Sequence, residues 1–247
     1  MAIFNNYLST TIPLALKTTD RKRVAQQILT ILKQTTPVVK LEKANCLDVG
    51  SSSGEVSSYL SENIGKIVCI DIDKNAIQIG KEKFTNIKNL SFRDFNGIDI
   101  PYPDHSFDLV ILRRVIECAE KPQELMEEVF RVLKRNGLVY FESQNIIWPD
   151  PNWDYFAFVP AQIKKIFAKF TGEKAYYFAT YRNYWQLKKL FFQFRIDIIT
   201  PKILKNPKKY NFTKLSFIQP LTQLLPDSFF NILEPLNRHF IWILKKP

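Results

Sequence analysis

A chain of 247 residues, 46% hydrophobic and 24% charged, is long enough for one elaborated domain, and its composition excludes extensive disorder, a collagen-like repeat or a disulfide scaffold. The formal charge of +11 falls entirely in residues 151–247, because residues 1–150 carry as many acidic as basic side chains. Cys46, Cys69 and Cys118 stand alone in apolar stretches, and the chain has neither a run of about 18 apolar residues nor a basic, cleavable start. A cytoplasmic protein with free thiols is expected.

The first predicted element is a helix capped by Asp20, with Val24, Ile28, Ile31 and Leu32 on one face and Pro37 as its stop. The apolar run 44–49 reads as a strand that stops at Gly50, and a helix carrying Val56, Tyr59 and Leu60 follows. A second strand over 66–70 ends in Asp71-Ile72-Asp73 and leads into a helix with Ile77 and Phe84. Strands are next expected at 90–93 and 107–112, separated by the turn-rich PYPDHS. An amphipathic helix built on Leu125, Val129, Val132 and Leu133 should close at Asn136-Gly137, ahead of a strand over 138–142. Strands alternating with helices of this length predict an α/β fold with a parallel sheet covered on both faces.

In such a sheet ligands gather outside the carboxyl ends of the strands. The loop 48–54 lies at one of those ends. A dinucleotide fingerprint starting at Gly50 would need glycine where Ser52 and Glu55 stand, and no Gly-Lys-Ser/Thr follows for a phosphate-binding loop. Glu55 also sets a carboxylate where a helix amino end would otherwise hold phosphate. What fits is D-x-G-x-S-x-G after the first strand, followed by a carboxylate, Asp71, at the end of the second. Such a carboxylate can accept hydrogen bonds from both hydroxyls of a ribose.

With these residues the sequence resembles the class I S-adenosylmethionine-dependent methyltransferases, in particular the large subgroup called type 11. SFRDF, PYPDHSFDLVILRRVIECAEKP and RVLKRNGLVYFESQN extend the likeness in order over roughly residues 40–145. The resemblance implies a Rossmann-like, mostly parallel seven-stranded sheet with helices on both faces, and S-adenosyl-L-methionine as cofactor. It assigns Asp48, Gly50, Ser52 and Gly54 to the methionine end, Asp71 to the ribose hydroxyls, and Asp94 with Phe95 to the adenine, and it counts Ile72 with the cofactor site. Arg113 and Arg114 end the fourth strand; one should face the cofactor cleft, and Arg113 is counted with the cofactor site, the plainer alternative being a salt bridge to Glu117 or Glu120. Ser52 replaces the middle glycine of the motif, where its backbone N–H is expected to stay open to the cofactor. Cys118 replaces a histidine many relatives carry, and Arg135-Asn136 replaces Pro-Gly.

No catalytic base is assigned, since methyl transfer from a sulfonium asks the protein mainly for orientation. His105 and His239 stand alone, no metal spacing occurs, and no metal is expected. Asp104-His105 reads as turn chemistry, and Cys118 as a small buried hydrophobe.

Residues 151–247 hold most of the aromatic residues and a single glycine, Gly172. The domain plan is therefore a cofactor-binding core over 1–145, an aromatic-rich acceptor-side insertion or lid over 146–185, and completion of the sheet with a basic insertion over 186–247. A basic amphipathic helix is expected over 161–170, with Ile163, Ile166, Phe167 and Phe170 on one face. Lys202, Lys205, Lys208, Lys209 and Lys214 gather between the last two strands. Three readings of this charge stay open: a solvated face, an anionic membrane surface with a lipid-like acceptor, or RNA. The function expected is methyl transfer to a small or lipid-like acceptor, with an RNA methyltransferase or a non-catalytic binding module as alternatives.

Overall fold

The computed structural model describes residues 18–35, 40–145, 182–210 and 239–247, together with residues 220, 222, 224–226, 229, 232 and 234–236. The helix expected over 161–170, Lys214 and most of the acceptor-side insertion lie outside the described residues.

A long helix, α1 (Thr18–Thr35), precedes the sheet. Asp20 lies in its first turn and not at its cap. Then follow β1 (Asn45–Val49), α2 (Glu55–Leu60), β2 (Lys66–Asp71), α3 (Lys74–Lys83), β3 (Leu90–Asp94) and β4 (Phe107–Arg113). The chain continues through α4 (Pro122–Val132), β5 (Leu133–Gln144), α5 (Tyr184–Leu190), β6 (Arg195–Ile198), α6 (Thr200–Lys205) and β7 (His239–Lys245). The seven strands form one sheet in the order β3-β2-β1-β4-β5-β7-β6. Pairing is parallel from β3 to β5, while β7 runs antiparallel to both β5 and β6. The strand order reverses between β1 and β4, which opens a crevice beyond their carboxyl ends.

Alternation of side chains along each strand divides the core in two. On one face Leu47, Val49, Ile70, Val110, Leu112, Phe141 and Trp242 pack under α4 and α5. On the other, Cys46, Ile67, Cys69, Leu109, Ile111 and Ile243 pack under α1, which contributes Ile28, Ile31 and Leu32. Because both faces are covered, the central strands are apolar at nearly every position. Local signals set the helix ends. Pro122 opens α4, Asp73 accepts from the N–H groups of Asn75 and Ala76 at the start of α3, and Asn183 and Gln186 form a reciprocal capping box on α5.

One expected boundary is wrong. Asn136-Gly137 does not end α4, which stops at Val132; the strand begins at Leu133 and carries the pair inside it. Asn136 takes φ +59° and its N–H donates to Lys246 O, while Lys246 N–H donates to Gly137 O. The pair thus makes an irregularity in β5, where the register against β4 shifts between Phe107 and Leu109. A glycine after an apolar helical stripe signals a chain reversal equally well at a helix end and at a bulge, and pairing with β7 and the chain end decided it.

Trp242 is fully buried, stacked at tilted or edge-on angles against Phe141, Phe191, Tyr184 and Phe240, with its Nε1–H donating to Glu234 at 2.9 Å. This ring ties β7 to β5 and α5. Trp242→Ala should cost about 3–5 kcal/mol of unfolding free energy, read from urea denaturation, because it leaves a cavity and strands a buried carboxylate.

Candidate functional site

The loop after β1 turns on three left-handed residues, Gly50 (φ +70°), Ser52 (φ +52°) and Gly54 (φ +71°). Gly50 and Ser51 donate their N–H groups to Ile70 O at 2.8 and 3.2 Å, which holds the loop against the end of β2. Gly54 is confined sterically as well: a Cβ there would overlap the Phe92 ring, and one at Gly80 in α3 would come within 2.5 Å of the same ring. Two glycines therefore let β3, α2 and α3 close on one aromatic side chain.

Asp71 ends β2 beneath this loop. Its Oδ2 accepts the N–H of Ser52 at 2.7 Å and its Oδ1 accepts the N–H of Asp73 at 2.9 Å. Burial pushes its carboxyl pKa up, against the lowering effect of these N–H bonds. The expectation of an open Ser52 N–H is thus not met, because that group is given to Asp71. Ser52 also holds a conformation that glycine adopts without steric cost, which explains the glycine common at this position in the motif.

Asp48, on β1, is buried and faces α2, where the Ser57 hydroxyl donates to its Oδ2. Burial raises its pKa to about 7, offset in part by the Ser57 hydrogen bond and by Arg113, and reinforced by Asp71. Arg113 lies on the same face. Its Nε donates to Glu142 Oε2 at 3.0 Å, and the Tyr140 hydroxyl donates to the same oxygen at 3.1 Å. Burial would lift the Glu142 carboxyl, but Arg113, His239 and Arg114 outweigh it and hold it below the usual range. Arg114, at φ +58°, turns away and pairs with Glu117 at 2.7 Å, so for this residue the plainer reading is the observed one.

The remaining expected residues fall along the same edge. Asp94 stands beside Asp71 in the β2–β3 register, exposed, with Lys74 Nζ at 3.7 Å. Phe95 packs against the core on the α4 face, and its N–H donates to Asp71 O at 3.2 Å. Ile72 is half-buried, 3.3 Å from where a Cβ on Gly97 would sit. Glu55 points away from any phosphate position and bridges Arg21 of α1 and Lys83 of α3 at 2.6 and 2.7 Å.

Sequence reasoning missed two polar groups, Ser57 and Glu142, which complete the buried set around Asp48 and Arg113. Glu117, expected as a salt-bridge partner, accepts from Ser143 Oγ at 3.0 Å as well as from Arg114. The signal for Glu142 was a lone carboxylate in the apolar run VYFES, level with Arg113 on the neighbouring strand. Cys118 corrects an expectation: it is exposed, while Cys46 and Cys69 are buried. His105 serves the turn, with φ +57° and its ring nitrogen 3.2 Å from Leu133 O. Among the described residues no group of three or more His, Cys, Asp and Glu converges as a metal site.

The raised Asp48 pKa fixes a pH dependence. The folded state keeps the Asp48 proton up to about pH 7, while the unfolded chain loses it near the ordinary aspartate value of 3.8, so this group's contribution to stability falls as pH rises between those limits. Asp48→Asn cannot lose that proton and keeps an acceptor for Ser57. Relative to the parent it should gain on the order of 3 kcal/mol between pH 4.5 and pH 8, measured as the pH-dependent difference in urea unfolding free energy.

A family profile described as "Methyltransferase domain" matches residues 47–141. The demethylmenaquinone methyltransferase of Listeria monocytogenes serotype 4a (strain HCC23) is 28% identical over 151 residues, covering 56% of this chain and 62% of that protein. The ubiquinone/menaquinone biosynthesis C-methyltransferase UbiE of Stenotrophomonas maltophilia (strain R551-3) is 27% identical over 132 residues, 49% of this chain and 52% of that one. The matches thus span about half to three-fifths of these relatives' lengths. In fold, the chain is similar to phosphoethanolamine N-methyltransferase 2 of Haemonchus contortus in complex with S-adenosyl-L-methionine, with a TM-score of 0.56 at 16% identity over 99% of this chain and 60% of that one. The profile match, the order of the motifs and the strand order agree on one point: residues 47–141 are similar to a methyltransferase domain and lie in the sheet that such domains share.

Proposed function

We propose that this protein transfers the methyl group of S-adenosyl-L-methionine to a lipid-like acceptor of the quinone type. The observation that carries the reading is Asp71, a buried carboxylate at the end of β2 whose two oxygens each accept one backbone N–H. Each oxygen has a further lone pair, so the carboxylate can also accept both hydroxyls of a ribose. The bound cofactor supplies an electrophilic methyl group on sulfur. The chain's own task is to hold the adenosyl and methionine portions still and to keep water from the reacting carbon.

In this reading Asp71 and Ile72 take the ribose, Asp94 and Phe95 the adenine, and the loop of Gly50, Ser52 and Gly54 the methionine end. Asp48 and Arg113 serve that end from below, as positioning residues held by Ser57 and Glu142. The acceptor side falls to residues 146–185. Asn145 and Arg182 form a bridge, and Arg182 Nη1 donates to Ile116 O at 2.7 Å, so the two described residues that flank this segment meet at the carboxyl end of β5. The quinone type of acceptor comes from the relatives, which are named for methylation of demethylmenaquinone and of ubiquinone and menaquinone precursors. Among the described residues no helix is long and apolar enough to cross a membrane. In this reading an apolar acceptor is met by peripheral contact with a bilayer.

Calorimetric titration with S-adenosylhomocysteine tests the cofactor site. Asp71→Ala should weaken binding by about 1.5–3 kcal/mol, the range for hydrogen bonds to a charged group. Gly54→Val, which adds strain at φ +71° and a clash with Phe92, should abolish it. Normal affinity in a folded Asp71→Ala protein would remove the ribose assignment. Transfer of labelled methyl to a demethylated quinone, compared with bulk RNA, tests the acceptor class; label in RNA alone would overturn it.

A further inference from the structure

We infer that the outer face of α5 is a docking surface for an anionic lipid bilayer, an inference that rests on the lipid-like acceptor proposed above and names the surface by which the enzyme reaches it. Leu187, Leu190 and Phe191 bury one side of this helix against the sheet. The opposite side presents Trp185, 68% exposed, and, in the turn just beyond, Phe192, 69% exposed. Between them on the same stripe lie exposed Lys188 and Lys189, with exposed Arg195 following. Two bulky aromatic side chains left in water at helical spacing, with cations set between them, form the arrangement that sits at a membrane interface, rings among the acyl boundary and cations among the headgroups.

The charge is complementary to an anionic surface and to nothing basic: no acidic residue occurs between Glu173 and Asp197. On one side α5 borders α4, whose exposed Glu124 and Glu127 limit the contact there. On the other it touches the short turn Glu234–Leu236, where Leu236 is also exposed. Leu236 decides between lipid and RNA, because an aliphatic side chain adds to bilayer burial and has no ring to stack on a base.

The placement serves the reaction. Asn183, which caps α5, follows directly on Arg182, and Arg182 is bridged to Asn145 at the carboxyl end of β5. Trp185 therefore stands near the edge of the sheet where the cofactor loop lies, and a bilayer held against α5 meets the acceptor side of the molecule.

The experiment is co-sedimentation of the full chain with vesicles of phosphatidylcholine alone and of phosphatidylcholine mixed with phosphatidylglycerol, with S-adenosylhomocysteine affinity measured on the same preparations. The native protein should bind the mixed vesicles. Trp185→Ser with Phe192→Ser should reduce that binding by at least about tenfold, as loss of buried apolar surface requires. Lys188→Gln and Lys189→Gln should each reduce it by about fivefold at low salt and by little at high salt. S-adenosylhomocysteine affinity should be unchanged in all of these variants. Equal vesicle binding by native and serine variants would overturn the proposal, as would native protein that binds RNA, or a second copy of itself through this face, but no vesicles. Absence of S-adenosylhomocysteine binding by native protein would instead bring down the methyltransferase reading, leaving the vesicle result to judge the surface by itself.

Discussion

The carboxylate of Asp71 is the point on which the site's geometry turns. It sits at the end of a strand buried on both faces, where an unpaired charge would cost several kcal/mol, and two backbone N–H groups from opposite directions satisfy it. One comes from Ser52 and fixes the left-handed turn after β1. The other comes from Asp73, whose own carboxylate caps α3. The carbonyl of Asp71 itself accepts the N–H of Phe95 after β3. Three strand ends are thereby set by one residue, and the crevice at the reversal of strand order has a fixed floor.

Around that floor the helices close on Phe92. Its ring stacks on Phe84 with centroids 6.3 Å apart and fills the space left by the absent Cβ atoms of Gly54 and Gly80. A side chain at either glycine would push α2 or α3 outward and carry the loop with it. Glu55 adds an outer tie, joined to Arg21 and Lys83, so α1, α2 and α3 are linked by charge on the surface as they are by Phe92 beneath it. A carboxylate at the start of α2 suits a site that must hold an adenosyl group and an amino acid without any phosphate.

The fold was legible because its signals are periodic and local: apolar runs ending in Gly50, Asp71 and Arg113 mark the carboxyl ends of three parallel strands, and the helices carry apolar residues at helical spacing, as Val56 with Leu60 and Leu125 with Val129 and Val132. The place of Asp71 at the end of its strand, 17 positions after Gly54, was legible too. What escaped reading depended on partners far away in the chain. Nothing near Asn136-Gly137 announces that Lys246 will pair with both residues and turn a helix stop into a bulge. Nothing near Ser52 shows that its N–H will be given to Asp71, and nothing near Arg113 shows that Glu142, 29 positions on, will accept from it. Cys118 misleads for the opposite reason, because an apolar neighbourhood in sequence became an exposed turn after β4.

The buried polar residues divide between the two faces of the sheet, and the division bears on where the chemistry is controlled. Asp48, Ser57, Arg113, Tyr140 and Glu142 occupy the α1 face, each satisfied by another member of the set, so they can stiffen the loop from below without offering a group to an acceptor. Glu117, Arg114 and Ser143 form the second set, next to Arg182 at the root of the acceptor-side segment. Burial raises the Glu117 carboxyl, and Arg114 and Ser143 oppose the shift, so that set too is committed to structure. Charged groups engaged in this way suit the proposed methyl transfer, which asks the protein for alignment rather than for a free acid or base. In the function proposed above, the choice of acceptor is left to residues outside these two sets, and the exposed face of α5 is where the acceptor's bilayer would be met.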